Sequence, residues 1–139
     1  MSPTPPPIVV TQDRGVSFAA HIGEHCVIVD QPSEAGGEDR GPAPLDLLGA
    51  ALGTCIAYYV DQFCRARGLE IEFRVEVTQE KAKSPPRIGR FNVRVIVLDE
   101  LRDDYAVLLD RVARSCPAHN TLAGGAEVAI AVERAPALV

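Results

Sequence analysis

The sequence predicts an α+β domain in which antiparallel sheets pack on a long buried helix. Three observations point there. Short β-branched runs, divided by turn residues, occupy both flanks of the chain. Between them lies an uncharged apolar stretch, Leu47 to Val60, too continuous for a surface helix. A second helical segment with a single apolar stripe follows from about Arg102 to Ser115.

One domain over residues 1–139 accounts for the length, since a single core organises roughly 100–200 residues. At 47% hydrophobic and 24% charged, the composition is globular. Residues 1–7, with prolines at 3, 5, 6 and 7, read as an extended, flexible start. The tail around Pro136 reads the same way.

A net charge of −5 with interspersed signs offers no basic stripe for nucleic acid. Arg87, Arg90 and Arg94 read as a solvated edge near a hairpin. The 14 residues from Leu47 to Val60 fall short of a bilayer span, and no basic membrane-surface helix is present. The N-terminus lacks a basic region followed by an apolar core, so the chain reads as cytoplasmic, with no membrane partner. Four cysteines in such a chain point away from a structural disulfide framework. Catalysis, redox sensing, metal binding and plain burial stay open for them.

Taken in order, Ile8–Thr11 reads as a strand, then Val16–Ala20 after a polar turn, then His25–Asp30 after Gly23-Glu24. Together they suggest an antiparallel meander. Residues 31–42 form a loop rich in Gly, Pro, Glu and Asp. The long helix begins near Pro44, whose missing amide costs nothing in the first turn. Asp46 meets the positive end of its dipole there, and Arg65, Arg67 and Gly68 mark its end. Apolar on every side, it is expected to be buried all round. Strands over Glu70–Glu80 and Arg87–Leu98 follow, joined by Lys83-Ser84-Pro85-Pro86. Cys116-Pro117 ends the second helix, Gly124-Gly125 reads as a turn, and a last strand runs from Glu127 to Glu133 through Val128, Ile130 and Val132.

The cysteines differ in promise. Cys55 lies in the middle of the long helix, where a thiol is often just a small hydrophobe. The small neighbours Ala51 and Gly53 would nevertheless let another segment approach its sulfur. Cys116 stands at the N-terminal boundary of a helical turn, where free amides can stabilise a thiolate, and His119 lies three residues on. Cys26, on a strand, and Cys64, nine helical steps from Cys55 and so on the opposite face, read as structural. The ligand-type spacings of His21, His25 and Cys26, and of Cys116 and His119, do not make the two tight pairs that zinc signatures need. No glycine-rich phosphate loop follows a strand. Neither a metal nor a cofactor is expected.

Two separated segments carry a resemblance. The run from Gly36 through Gly41-Pro42-Ala43-Pro44-Leu45-Asp46 to Cys55, and Cys116-Pro117-Ala118-His119-Asn120-Thr121-Leu122, are similar to the motifs of the OsmC/Ohr family. That family is named for osmotic induction and organic hydroperoxide resistance, and the order of elements matches it from about Val9 to Val132. The resemblance implies an intertwined homodimer with each Cys55–Cys116 pair near the subunit interface. It implies a dithiol-dependent peroxidase of the stress response, in which Cys55 attacks a hydroperoxide and Cys116 closes a disulfide. It also implies an arginine from the first strands beside Cys55, for which Arg14 is the best match and Arg40 the second. In the peroxidase members a glutamate directly follows the proline. Leu45 stands at that place, and Asp46 matches the acidic residue of a less characterised OsmC-like branch. On the residues alone, Asp46 reads slightly better as a first-turn dipole partner. A non-catalytic module of the same fold, binding an apolar ligand or sensing redox state, is the alternative.

Overall fold

The computed structural model describes residues 3–136. The expected meander forms as β1 (Val9–Gln12), β2 (Phe18–Ile22) and β3 (His25–Val29), antiparallel in that order. Gly15 and Gly23, both at φ 58°, supply the left-handed positions in the two reversals. Alternation puts Val10, Phe18, Ala20, Ile22, Val27 and Val29 on one face. Val10, Phe18 and Ile22 remain exposed, and the sheet's substantial packing is within itself.

The loop after β3 is pinned by one carboxylate. Buried Asp30 accepts the N–H groups of Gln31, Glu38 and Arg40 at 2.8, 3.2 and 3.2 Å. Burial works to raise its pKa, but those three donors and the charge of Arg40 leave it below the ordinary carboxylate value. Gly41 lies so close to the Ile28 carbonyl that a Cβ would overlap it. Arg40 pairs with Asp13 and donates to Ser17 Oγ at 3.1 Å, tying the loop to the β1–β2 turn.

α1 (Pro44–Ala66) begins on the proline and ends with Arg65 in its last turn, followed by Gly68 at φ 66°. Its buried stripe is Gly49, Leu52, Ile56, Val60, Phe63 and Cys64. Burial all round is therefore not what the chain achieves by itself. Leu45, Leu48 and Tyr58 are exposed, because β4, α2 and α3 cover only part of the helix. At 23 residues α1 has the length and hydropathy of a bilayer span, yet its buried stripe forms the core of this domain.

β4 (Phe73–Lys83) and β5 (Pro86–Val97) form a long hairpin, somewhat shifted from the expected limits. The hairpin approaches α1 closely at Gly53, where a Cβ would stand 3.1 Å from Val77 Cγ2. α2 (Asp103–Arg114) packs on α1 through buried Leu109 and an edge-to-face contact of Tyr105 with Phe63, centroids 6.2 Å apart.

Two expectations need correcting at the C-terminal end. Pro117 does not merely end a helix; it occupies the first turn of a further one, α3 (Pro117–Gly124). Gly125, at φ 63°, closes α3 in the left-handed conformation. The strand expected over Glu127–Glu133 does not form. Val128, Ile130 and Val132 keep their alternation but are 78%, 86% and 96% exposed. A lone extended segment has no ladder to join, and the chain lays none of its own strands beside it. Pro3–Pro7 are exposed and without regular structure, whereas residues 1–2 and 137–139 lie outside the described residues.

Candidate redox site

Cys55 projects from the middle of α1 on the side it shares with Leu48 and Leu52. The N-terminus of α3 packs against α1, and its N-cap residue is Cys116, with φ −68° and ψ 142°. Pro117 has no N–H to give, so the free donors of the first turn are those of Ala118 and His119. The His119 N–H donates to Cys116 Sγ at 3.2 Å. The imidazole of His119 lies against Asn120 Oδ1 instead, at 3.3 Å.

The two distant cysteines meet at this junction. Burial pushes the Cys116 thiol above its ordinary value, and the His119 N–H pulls it back. The neighbouring Cys55 thiol pushes it up again, against a smaller pull from the Ala118 N–H. Cys116 is fully buried, Cys55 only half-buried, and both are free thiols.

The other candidates stand elsewhere. Arg14 pairs with Glu38 at 3.1 Å on the surface, and Arg40 is held by Asp13 and Ser17. Neither is among the groups that act on Cys116. Asp46 precedes Cys55 by nine residues, half a turn out of phase, so it faces away from the thiol. It lines a cleft of about 700 Å³ with Gly49, Gly53, Gln79 and Lys81. Leu45 lines a different space, an open groove of about 1160 Å³ between α1, β5, α2 and α3. Leu48, Leu52, Leu109, His119 and Leu122 line that groove as well.

Cys64 is buried, and burial with the charge of Asp61 pushes its thiol up, against the pull of Arg67. Cys26 is exposed on β3, opposite His21, rather than buried as a structural thiol would be. Among the described residues no three His, Cys, Asp or Glu side chains converge as metal ligands.

Residues 36–131, more than half of the chain, match the family of OsmC-like proteins. The chain belongs to that family. Its fold is shared by OsmC-like proteins of known structure at low identity. The OsmC-like protein of Mycoplasma pneumoniae superposes with a TM-score of 0.73 at 22% identity, over 90% of this chain and 91% of the other. The organic hydroperoxide resistance protein OhrB of Bacillus subtilis gives 0.54 at 21% identity, over 86% and 90%. A Legionella pneumophila organic hydroperoxide resistance protein OsmC gives 0.55 at 17% identity, over 84% and 87%. No curated protein matches the sequence.

The family thus includes hydroperoxide-resistance proteins. Sequence reasoning missed the partners of the two arginines. Glu38 and Asp13 meet Arg14 and Arg40 only because the Gly-rich loop folds back on the first turn, and no local pattern announces that return.

Proposed function

We propose that this OsmC-like protein is a thiol-dependent peroxidase that reduces organic hydroperoxides through Cys55 and Cys116. The observation that carries the reading is their meeting, from far apart in sequence, at the N-cap of α3 beside an apolar groove. Half-buried Cys55 is the thiol a substrate can reach. As a thiolate it attacks the distal oxygen of ROOH; the O–O bond breaks, the alkoxide leaves and is protonated to ROH, and Cys55 becomes a sulfenic acid. The Cys116 sulfur then attacks the Cys55 sulfur, water leaves, and a disulfide forms. An external dithiol restores both thiols, as the reducing cytoplasm would provide. The aliphatic groove favours substrates with an apolar body over hydrogen peroxide.

The working form is a homodimer. The Val10–Phe18–Ile22 face and the Val128–Ile130–Val132 segment are apolar surfaces that nothing in one chain covers. A second copy covers both, and it also brings a second set of arginines to each junction. The test is consumption of cumene hydroperoxide by the reduced protein with dihydrolipoamide. Rapid turnover that Cys55→Ser abolishes is expected; equal rates in the two proteins would end the proposal.

One observation favours a second reading, a ligand-binding or redox-sensing module. Arg14 and Arg40 are each engaged by a carboxylate, and Leu45 stands where peroxidase members carry an acid. Titration of the Cys55 thiol separates the two. An apparent pKa above about 8.5 favours the binding module, and a value well below it favours the peroxidase.

A further inference from the structure

The two sulfurs of the pair are unlike in access and in the donors around them, and that difference gives the disulfide a direction. Building on the peroxidase reading, we propose that a reducing thiolate always enters at Cys55 and that Cys116 is always the sulfur that leaves.

Thiol–disulfide exchange needs an attacking thiolate in line with the bond it breaks, and its rate depends on which sulfur is reachable and which leaves more easily. Access selects Cys55 for attack, and the N-cap donors favour Cys116 for departure against the burial that raises its thiol. Cys116 is fully buried, so no external thiol reaches it, whereas Cys55 is half-buried. Departure turns on the donors around each sulfur, because burial by itself raises the Cys116 thiol and opposes its leaving. Cys116 is the N-cap of α3, and the His119 N–H already points at its sulfur from 3.2 Å. Negative charge that gathers on a departing Cys116 sulfur meets that donor, a second from Ala118, and the positive end of the helix. Cys55 lies in mid-helix, where the surrounding N–H groups are spent in the helical ladder. Its sulfur has no comparable donor from its own helix.

The steps balance without another reagent. A dithiol, deprotonated at one sulfur, bonds to Cys55 as the Cys55–Cys116 bond breaks, and Cys116 departs as a thiolate. The dithiol's second thiol gives Cys116 its proton, which burial then favours keeping. The new thiolate closes the reductant's own disulfide and releases Cys55 as a thiolate, the form the next hydroperoxide requires. Two electrons pass from the dithiol to the protein, and Cys55 alone bears the mixed disulfide.

The test uses the wild-type chain oxidised with diamide, so that the disulfide forms without any hydroperoxide. A limiting amount of a monothiol, 2-mercaptoethanol, is added; the mixture is quenched in acid, alkylated and mapped by peptide mass spectrometry. The expected product carries mercaptoethanol on Cys55 and the alkyl group on Cys116. Mercaptoethanol on Cys116, or on both in comparable amounts, overturns the inference while leaving the redox pair intact. If diamide yields no Cys55–Cys116 disulfide, the peroxidase reading falls and takes this inference with it. His119→Pro removes the donor while keeping the first turn of α3. It is expected to slow the reduction roughly tenfold, the weight of one charge-assisted hydrogen bond, with the label still on Cys55. An unchanged rate in a folded variant means that the N-cap does not assist departure.

Discussion

The helical body and the N-terminal sheet of this protein solve the burial problem in opposite ways. In the body, α1 lays Leu52, Ile56 and Val60 against β4, β5, α2 and α3, and the core closes within one chain. The β1–β3 sheet has correct register, tight turns and a pinned loop behind it, yet its apolar face stays open. The extended segment through Val128, Ile130 and Val132 is in the same condition. Cys55 and Cys116 sit in the self-sufficient region, while Arg14 and Arg40 sit beside the sheet whose apolar face is open. On the proposed reading, the surroundings of the thiols belong to the single chain, and their activation would depend on a second copy.

The sharpest way to break that comparison is to attack the open surfaces. A Val128→Asp/Ile130→Asp double variant is expected to turn the dimer into monomer in analytical ultracentrifugation and to abolish peroxide turnover. Burying each of these side chains is worth about 1.5–3 kcal/mol. Losing both weakens association by roughly a hundredfold or more, before the cost of burying charge. A double variant that stays dimeric and active would show that the segment is not an interface.

Inside the body, the next effect is catalytic. Cys116→Ser is expected to consume about one equivalent of hydroperoxide per chain and then stop. A sulfenic acid then persists on Cys55 and can be trapped with dimedone. Sustained turnover in that variant would remove Cys116 from the cycle. Ile56→Ala should destabilise the fold by about 2–5 kcal/mol, as cavity-forming changes in a closed core do. Urea unfolding measures the loss, and the dimer should survive in native buffer. A loss well under 1 kcal/mol would mean that this core is looser than its burial implies.

The same division explains what the sequence could reveal. The limits of α1 were legible because Pro44 and Gly68 are local signals, and the hairpin was legible because period-two alternation is local too. Apolar residues around all of α1 do not translate into burial all round within one chain, because apolarity alone does not say which faces a neighbour covers. The strand expected over 127–133 failed for the same reason, since alternation records a face and not the strand it pairs with. The helical turn expected after Cys116 extends to a full α3, a length that Pro117 does not reveal because it looks the same whether it stops one helix or starts another. For the site, the thiol pair was legible only through the resemblance of two motifs, because spacing alone cannot join residues so far apart. The engagements of Arg14 with Glu38 and of Arg40 with Asp13 depend on a long-range loop return that leaves no trace in local pattern.

The smallest effect separates the two regions by pH. Asp13 and Asp30 sit below the ordinary carboxylate value, Asp13 chiefly through its hydrogen bond from Arg40 and Asp30 through donors that outweigh its burial. A lowered folded pKa gives stability that is complete above the unfolded value, near 3.8, and is lost as pH falls through the folded one. Cys64 and Cys116 are both raised, first by burial. Their contribution is complete below the ordinary thiol value, near 9.0, and is lost as pH climbs through the folded one. Acid should thus loosen the N-terminal loop first and alkali the helical body. The exposed Asp110–Arg114 pair in α2 adds little to the acid limb. The amide signals of Gln31, Glu38 and Arg40, all bonded to Asp30, should shift together below about pH 4 while those of α1 hold. Above about pH 9, the reduced protein should lose more thermal stability than Cys64→Ala, since the variant has one fewer buried thiol to ionise. Simultaneous loss of both regions at either extreme would mean that they unfold as one unit, and that the open sheet depends on the body as well as on its partner.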